Sequence, residues 1–334
     1  MQSPPCSIIC AEPCGADLGK LVIWNATESN YTHLEKKVPL ELVDKDLTVT
    51  IGSSHGWVAT FKDDSIVRLQ DDLNPVASDK DPKRILLPPL VTLPHCQTKV
   101  ITNVAMSSSS PEDDDCVVAI KFLGPQLSFC RPAQRYPEWI NIGIENPCFF
   151  SSPVMFSNKD DMFSILGSGG HLIGSWDLHK HSKHPKLKTL WFQNLPKLSK
   201  AKRDLLDSCY TSEHLVESRT TNETFLVKRY KKTVNIIMGI VKMKTECLMV
   251  FKIDEEGYAV FTLDIGDLVI FLSKSEPFCV PASSFFGMSC NGVRVLDVDE
   301  SANARLEYKT CTIHNTIYRD GLGAPYHIPP QKID

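Results

Sequence analysis

The sequence predicts an all-β fold, a single irregular β-propeller of about six or seven blades carrying one helical insertion. Three observations point there. Short runs rich in β-branched and aromatic residues are separated by Gly/Asp turns. Strand–turn–strand units recur every few tens of residues, and propeller blades repeat at roughly 40–50 residues. The runs also lie too close for parallel crossovers, which need about a dozen or more residues.

The clearest stretch covers residues 246–286. A run at 247–254 is followed by the turn Glu255-Glu256-Gly257 and a second run at 258–264. A break at Ile265-Gly266-Asp267 precedes a third run at 268–272. Three such runs in succession read as one antiparallel meander.

Taken in order, residues 1–20 are expected to be unstructured, because Pro4, Pro5 and Pro13 break any regular element. Residues 21–334 then form the propeller domain. Strand-like runs fall at 21–24, 47–51, 57–61 and 65–69, and the turn Lys62-Asp63-Asp64 recurs as Lys159-Asp160-Asp161 at the same place in a second hairpin. Further hairpins join 116–122 to 126–130 and 162–166 to 172–176. The acidic loop 107–115 is expected to be mobile. The basic insertion 178–210 holds the helix, at 199–210, with Leu198, Ala201, Leu205 and Cys209 on one face.

Composition is that of an ordinary globular chain: 334 residues, 42% hydrophobic and 23% charged. A net charge of -4 does not by itself call for a nucleic-acid or membrane partner. No apolar run approaches the ~18 residues of a membrane span, and the longest, at 234–241, reads as a buried strand. Twelve cysteines form no C-x-x-C pair and sit singly in strand-like runs, as at Cys116, Cys130, Cys247 and Cys290. Reduced cysteines behave this way as small core hydrophobes, which points to a reducing compartment. The sequons at Asn25, Asn30 and Asn222 then carry no glycan. Residues 1–20 hold Glu12 and Asp17 and no basic residue before Lys20, unlike an import address, so the cytosol is expected.

Four stretches invite chemistry. Gly52-Ser53-Ser54-His55-Gly56 matches G-x-S-x-G, but the next run, from Trp57, is another strand where a nucleophile elbow needs a helix. The segment reads instead as a turn, with Gly52 and Gly56 in turn conformations, Ser54 and His55 structural, and Trp57 buried. Gly167-Ser-Gly-Gly170 lacks the Gly-Lys-Ser/Thr ending of a phosphate loop and reads as a hairpin turn. Cys6, Cys10 and Cys14, and also His179, His181 and His184, are possible metal ligands. The first set lacks metal-site spacing and the second lies among lysines, so no metal or cofactor is assigned. Finally, Lys180, Lys183, Lys186, Lys188, Lys197, Lys200, Lys202 and Arg203 occur without an intervening acid, interleaved with Trp191 and Phe192. Such a stretch can track a phosphate backbone with stacking aromatics, or be a solvated basic face. The charge balance elsewhere favours the face.

Gly52-Ser-Ser-His55-Gly56-Trp57, Leu73-Asn-Pro75 and Leu86-Leu-Pro88-Pro89, then Arg135-Tyr136-Pro-Glu-Trp139, occur here in order. So do Gly266-Asp267 and Ala324-Pro-Tyr-His-Ile-Pro-Pro330. Their succession resembles the plant domain-of-unknown-function 295 proteins, kelch-like, F-box-associated β-propellers of the KIB type. Glu213-His-Leu-Val-Glu217-Ser218 and Ser273-Lys-Ser-Glu276-Pro-Phe278 are most similar to an organellar branch that lacks the F-box. The resemblance implies a non-catalytic protein-interaction module without catalytic residues. It also implies two alternatives, the substrate receptor of an F-box ubiquitin ligase and a mitochondrial location. Nucleic-acid binding through residues 180–203 is the alternative that the basic stretch supplies.

Overall fold

Alternation along the strands is two-sided: on one strand Trp57 and Ala59 join one apolar cluster while Val58 joins another. A strand with two apolar faces must be covered on both, which is the demand that stacked, radially arranged sheets meet. The computed structural model describes residues 2–28, 30–44, 49–96, 98–178, 184–237, 240–298, 300–307, 310–318 and 323–333, and shows six sheets of four or five strands. The fold is a six-bladed β-propeller.

The chain enters through β1 (Cys6–Pro13), β2 (Leu18–Asn25) and β3 (Asn30–Pro39) of blade 1. Blade 2 is β4 (Thr50–Ser54), β5 (Trp57–Phe61), β6 (Ile66–Gln70) and β7 (Arg84–Pro89). Blade 3 is β8 (Ile101–Met106), β9 (Val118–Phe122), β10 (Gln126–Cys130) and β11 (Ile140–Gly143). Blade 4 is β12 (Val154–Ser157), β13 (Met162–Leu166), β14 (Leu172–Trp176) and β15 (Lys186–Thr189). After the short β16 (Trp191–Gln193) and helix α1 (Lys200–Asp207), blade 5 runs through β17 (Tyr210–Glu217), β18 (Thr224–Ile237), β19 (Ile240–Ile253) and β20 (Tyr258–Thr262). There β16 adds in parallel to the outer edge. Blade 6 holds β21 (Leu268–Leu272), β22 (Phe278–Pro281), β23 (Gly292–Leu296), β24 (Glu300–Glu307) and β25 (Thr310–Tyr318). The last strand, β26 (His327–Ile328), returns to blade 1 and pairs Cys6 with Ile328 and Ser7 with His327. Both ends of the chain therefore share one blade and close the ring.

Six apolar clusters fill the six blade interfaces. Trp57, Leu69, Val104 and Ile120 join blades 2 and 3, and Phe129, Phe163 and Trp176 join blades 3 and 4. Polar ties supplement them. Arg229 on β18 reaches Asp297 at 2.8 Å and Glu300 at 2.7 Å, linking blades 5 and 6. Lys121, fully buried, donates to the carbonyls of Phe122, Gly124 (3.0 Å) and Phe150 (2.9 Å). Burial pulls its amine down to about 7, while three acceptors favour the ammonium, the form with three protons to give.

Several expectations are corrected. Residues 1–20 are not unstructured, because β1 and the start of β2 lie within them, and the buried Cys6 and Ile8 supply part of the core. The run 268–272 is not the third strand of a meander. It crosses at Gly266 (φ +67°) into blade 6, where it pairs with β22 and β23. Residues 234–241 form no buried strand. Val234 on β18 and Val241 on β19 are exposed, and residues 238–239 between them lie outside the described residues. The two Lys-Asp-Asp turns are not equivalent, since one joins β5 to β6 and the other β12 to β13. What they share is a left-handed residue, Ser65 in the first and Asp161 in the second. The loop 107–115 is tied down. Ser107 bonds Val117 through backbone and side chain, and the Ser109 carbonyl accepts the Trp57 indole N–H at 3.1 Å. Helix α1 is shorter than expected, is capped by Ser199, and buries Leu206, whereas Ala201 is exposed. Cys290 is exposed and precedes its strand.

Candidate functional site

Ser54 and Trp57 are paired across a two-residue loop, so His55 (φ +53°) and Gly56 (φ +89°) both take left-handed backbone. That is the type I′ hairpin turn, whose twist matches the flanking strands. A β-carbon on Gly56 would meet Asn74 at 2.9 Å. Gly52 differs from expectation. It lies within β4, and its need for a bare α-carbon comes from the Val104 backbone nitrogen, 2.7 Å from where a β-carbon would sit.

The turn between β21 and β22 reaches past the short β26. Lys274 N–H donates to the Pro325 carbonyl, and the Ser273 hydroxyl accepts from His327 N–H. Ser275 then bridges to Ser53, and Glu276 N–H donates to the Ser53 carbonyl at 2.7 Å. The Glu276 carboxylate so placed accepts from the Ser54 hydroxyl at 2.5 Å, from Phe156 N–H at 2.7 Å and from Met106 N–H at 3.4 Å. One side chain of blade 6 thus ties the inner strands of blades 2, 3 and 4. Burial raises its pKa to about 7, against the pull of those donors and of Arg219.

Arg219, beyond the end of β17, donates to His55 Nε2 at 3.2 Å. A guanidinium only donates, so Nε2 accepts and the imidazole is neutral with its proton on Nδ1. Burial first, and the Arg219 charge second, hold that ring's pKa down to about 4, with a hydrogen bond to the Met106 backbone opposing. Glu217 accepts from the Ser157 hydroxyl at 2.6 Å and from Lys159 N–H at 3.1 Å. Around these groups opens a cavity of about 510 Å³ on the propeller axis. All six blades line it, through Gln2 and Lys332, His55, Ser109, Phe156, Arg219 and Phe278 among others.

The sequence profile of the KIB1-4 beta-propeller family matches residues 26–318. The chain belongs to the KIB1-4 β-propeller family. No curated protein matches it. Among solved structures, the KIB1-4 propeller is similar to "Dihydro-heme d1 dehydrogenase NirN in complex with DHE", at 10% identity and a TM-score of 0.41, over 95% of this chain and 54% of that one. It thus spans about half of that chain. It is also similar to the Cps50 (Swd1) β-propeller domain of Myceliophteria thermophila, at 9% identity and a TM-score of 0.41, over 96% and 88% of the two chains. Among the described residues, no helix of the KIB1-4 propeller is long and apolar enough to cross a membrane.

The motif residues of the KIB1-4 chain divide by position. His55 lines the axial cavity and Gly56 abuts Asn74 and Gln331, whereas Trp57 is buried in the interface of blades 2 and 3. Pro88 and Trp139 meet away from the axis, the indole N–H donating to the Pro88 carbonyl at 2.7 Å. Pro89 pairs with Ile66 at the blade 2 edge, and Tyr136 is 75% exposed under the Arg135 guanidinium. Gly266 and Asp267 form the crossover into blade 6, where the Asp267 carboxylate accepts from Ser283 N–H.

The basic stretch is carried by several elements. Lys180 and Lys183, like His179 and His181, lie outside the described residues. Lys186 and Lys188 are on β15, and Lys188 is spent on the Asp254 carbonyl at 2.9 Å. Lys197 precedes α1, which carries Lys200, Lys202 and Arg203. The reading of single motifs passed over Glu217, Arg219 and Glu276. Two of them stand inside the stretches that carried the resemblance, 213–218 and 273–278.

Proposed function

We propose that this chain is a non-catalytic protein-interaction module that receives its partner at the axial mouth. The observation that carries this reading is the lining of that mouth by side chains from all six blades around one shared carboxylate. Residues far apart in sequence are held there as a fixed, concave surface, the pre-organised geometry that binding rewards. Phe286, fully exposed, follows the cavity-lining Phe285, and an aromatic ring so placed is a typical contact anchor. A photo-crosslinking residue at position 286 is the test. The expected product is a protein adduct that disappears when Phe278 is replaced by Ala. Adducts that form equally from exposed Tyr136, on another part of the disc, would refute the reading.

The working compartment is proposed to be reducing, the cytosol in the first place and the mitochondrion as the alternative. Cys6, Cys116 and Cys130 support it, standing in the core as free thiols and not in disulfides. A carboxy-terminal fluorescent fusion separates the two locations.

A further inference from the structure

The charged groups at the mouth are unequally spent. Both carboxylates turn their acceptors inward, Glu217 to Ser157 and Lys159, and Glu276 to Ser54, Met106 and Phe156. The cations do not. Arg219 is exposed and commits one N–H, to His55, out of the five that a guanidinium carries. Lys332 is exposed, and its ammonium has no hydrogen-bond or ion-pair partner among the described residues. Beside them the wall is apolar, formed by Met155, Phe156, Phe278 and Phe285. The unspent capacity of the mouth is therefore a cationic donor set next to aromatic surface.

We propose that the mouth receives an extended protein segment carrying an Asp or Glu beside an apolar residue. The carboxylate takes the free edge of the Arg219 fork, a planar pairing that one guanidinium serves well, with Lys332 adding charge. The apolar neighbour lies on Phe278 and Phe285. His55 is a positioning residue here: its neutral Nε2 holds one arm of Arg219, whose side chain lines the cavity. A phosphorylated segment fits less well, because such sites gather several arginines and this one holds a single Arg with a Lys.

This inference rests on the axial mouth being the docking face, and the experiment separates the two. Peptides are selected from a random displayed library against the purified full chain. The expected sequences contain Asp or Glu next to an aliphatic or aromatic residue. Exchange of that acid for its amide, on the unaltered protein, is expected to weaken binding by about tenfold, as for a lost charged hydrogen bond. Arg219→Gln is expected to weaken it equally and to make the amide exchange silent. Peptides that bind Arg219→Gln as well as the parent, yet lose affinity with Phe278→Ala, overturn the acidic anchor and keep the docking face. Peptides indifferent to both substitutions, or the recovery of no peptide, overturn both.

Discussion

The Ser54 hydroxyl donates to Glu276 Oε2 at 2.5 Å, across 222 residues of sequence. This bond makes Ser54 part of the axial tie, where the sequence alone suggested a passive turn residue. Ser54→Ala leaves a buried carboxylate one donor short, so it is expected to destabilise the fold by about 1–2 kcal/mol, not to be neutral. Urea melts of the two proteins at neutral pH measure the difference.

Glu276 also sets a pH dependence. Its folded pKa is raised to about 7 from 4.5, so between those values the folded chain keeps a proton that the unfolded chain has released. Stability from this group is greatest below about 4.5 and is lost as pH rises to about 7. Glu276→Gln removes the titration. The variant is expected to gain on the parent across that window, by at most about 3 kcal/mol at its top. Parallel stability–pH curves for the two proteins would count against the assignment.

Strand content was legible because the propeller imposes a local rule. The central blade strands are covered on both faces, and runs such as 118–122 and 268–272 show it directly. Sheet membership was not legible for 268–272, since an apolar strand looks alike beside either neighbour. The choice is made by the crossover at Gly266. β1 was hidden for a related reason. It pairs along its length with the adjacent β2, but Pro4, Pro5 and Pro13 around it read as breakers, and its other partner, β26, is reached only through Ser7 and His327, 320 residues apart. The site fared likewise. His55 stood out by its glycine neighbours, while Arg219 and Glu276 acquire their meaning only from contacts over 164 and 222 residues.

Trp57 links packing to the site. It fills the interface of blades 2 and 3, and its indole N–H holds the Ser109 carbonyl at the cavity rim. Trp57→Ala is expected to cost ~3–5 kcal/mol through the cavity it leaves. Trp57→Phe keeps most of the volume and loses the hydrogen bond, so it isolates the rim contribution at about 1 kcal/mol. Thermal melts of both variants order them.

The Arg229 cluster gives the largest expected polar effect. Its guanidinium meets Asp297, Glu300 and the Thr245 hydroxyl in the closed interface of blades 5 and 6. Glu300 is fully buried and also accepts from Thr245 N–H and its hydroxyl. Glu300→Ala leaves Asp297 alone to balance Arg229 and takes the acceptor from Thr245 N–H, a loss of buried charged hydrogen bonds expected to cost about 3 kcal/mol. Replacing Arg229 and Glu300 together by apolar residues is expected to cost less than the single change, which a double-mutant cycle measures.

The last prediction concerns nucleic acid. A strand-tracking surface needs several unspent cations in one line, with aromatics between them. Here Lys188 is committed to the Asp254 carbonyl, Lys186 stands on the blade 4 edge, and Lys200, Lys202 and Arg203 are carried by a separate helix. Trp191 is 61% exposed beside Tyr258, but Phe192 packs on Phe251 and under the Lys228 ammonium. With the cations divided between two elements, phosphate contacts should be few, and log K should fall only shallowly with log salt. Filter binding of single-stranded RNA and DNA across a salt series is expected to show weak association at low salt that changes little when Lys200, Lys202 and Arg203 are replaced by Ala. A steep salt slope that those substitutions flatten would make the basic stretch a nucleic-acid surface.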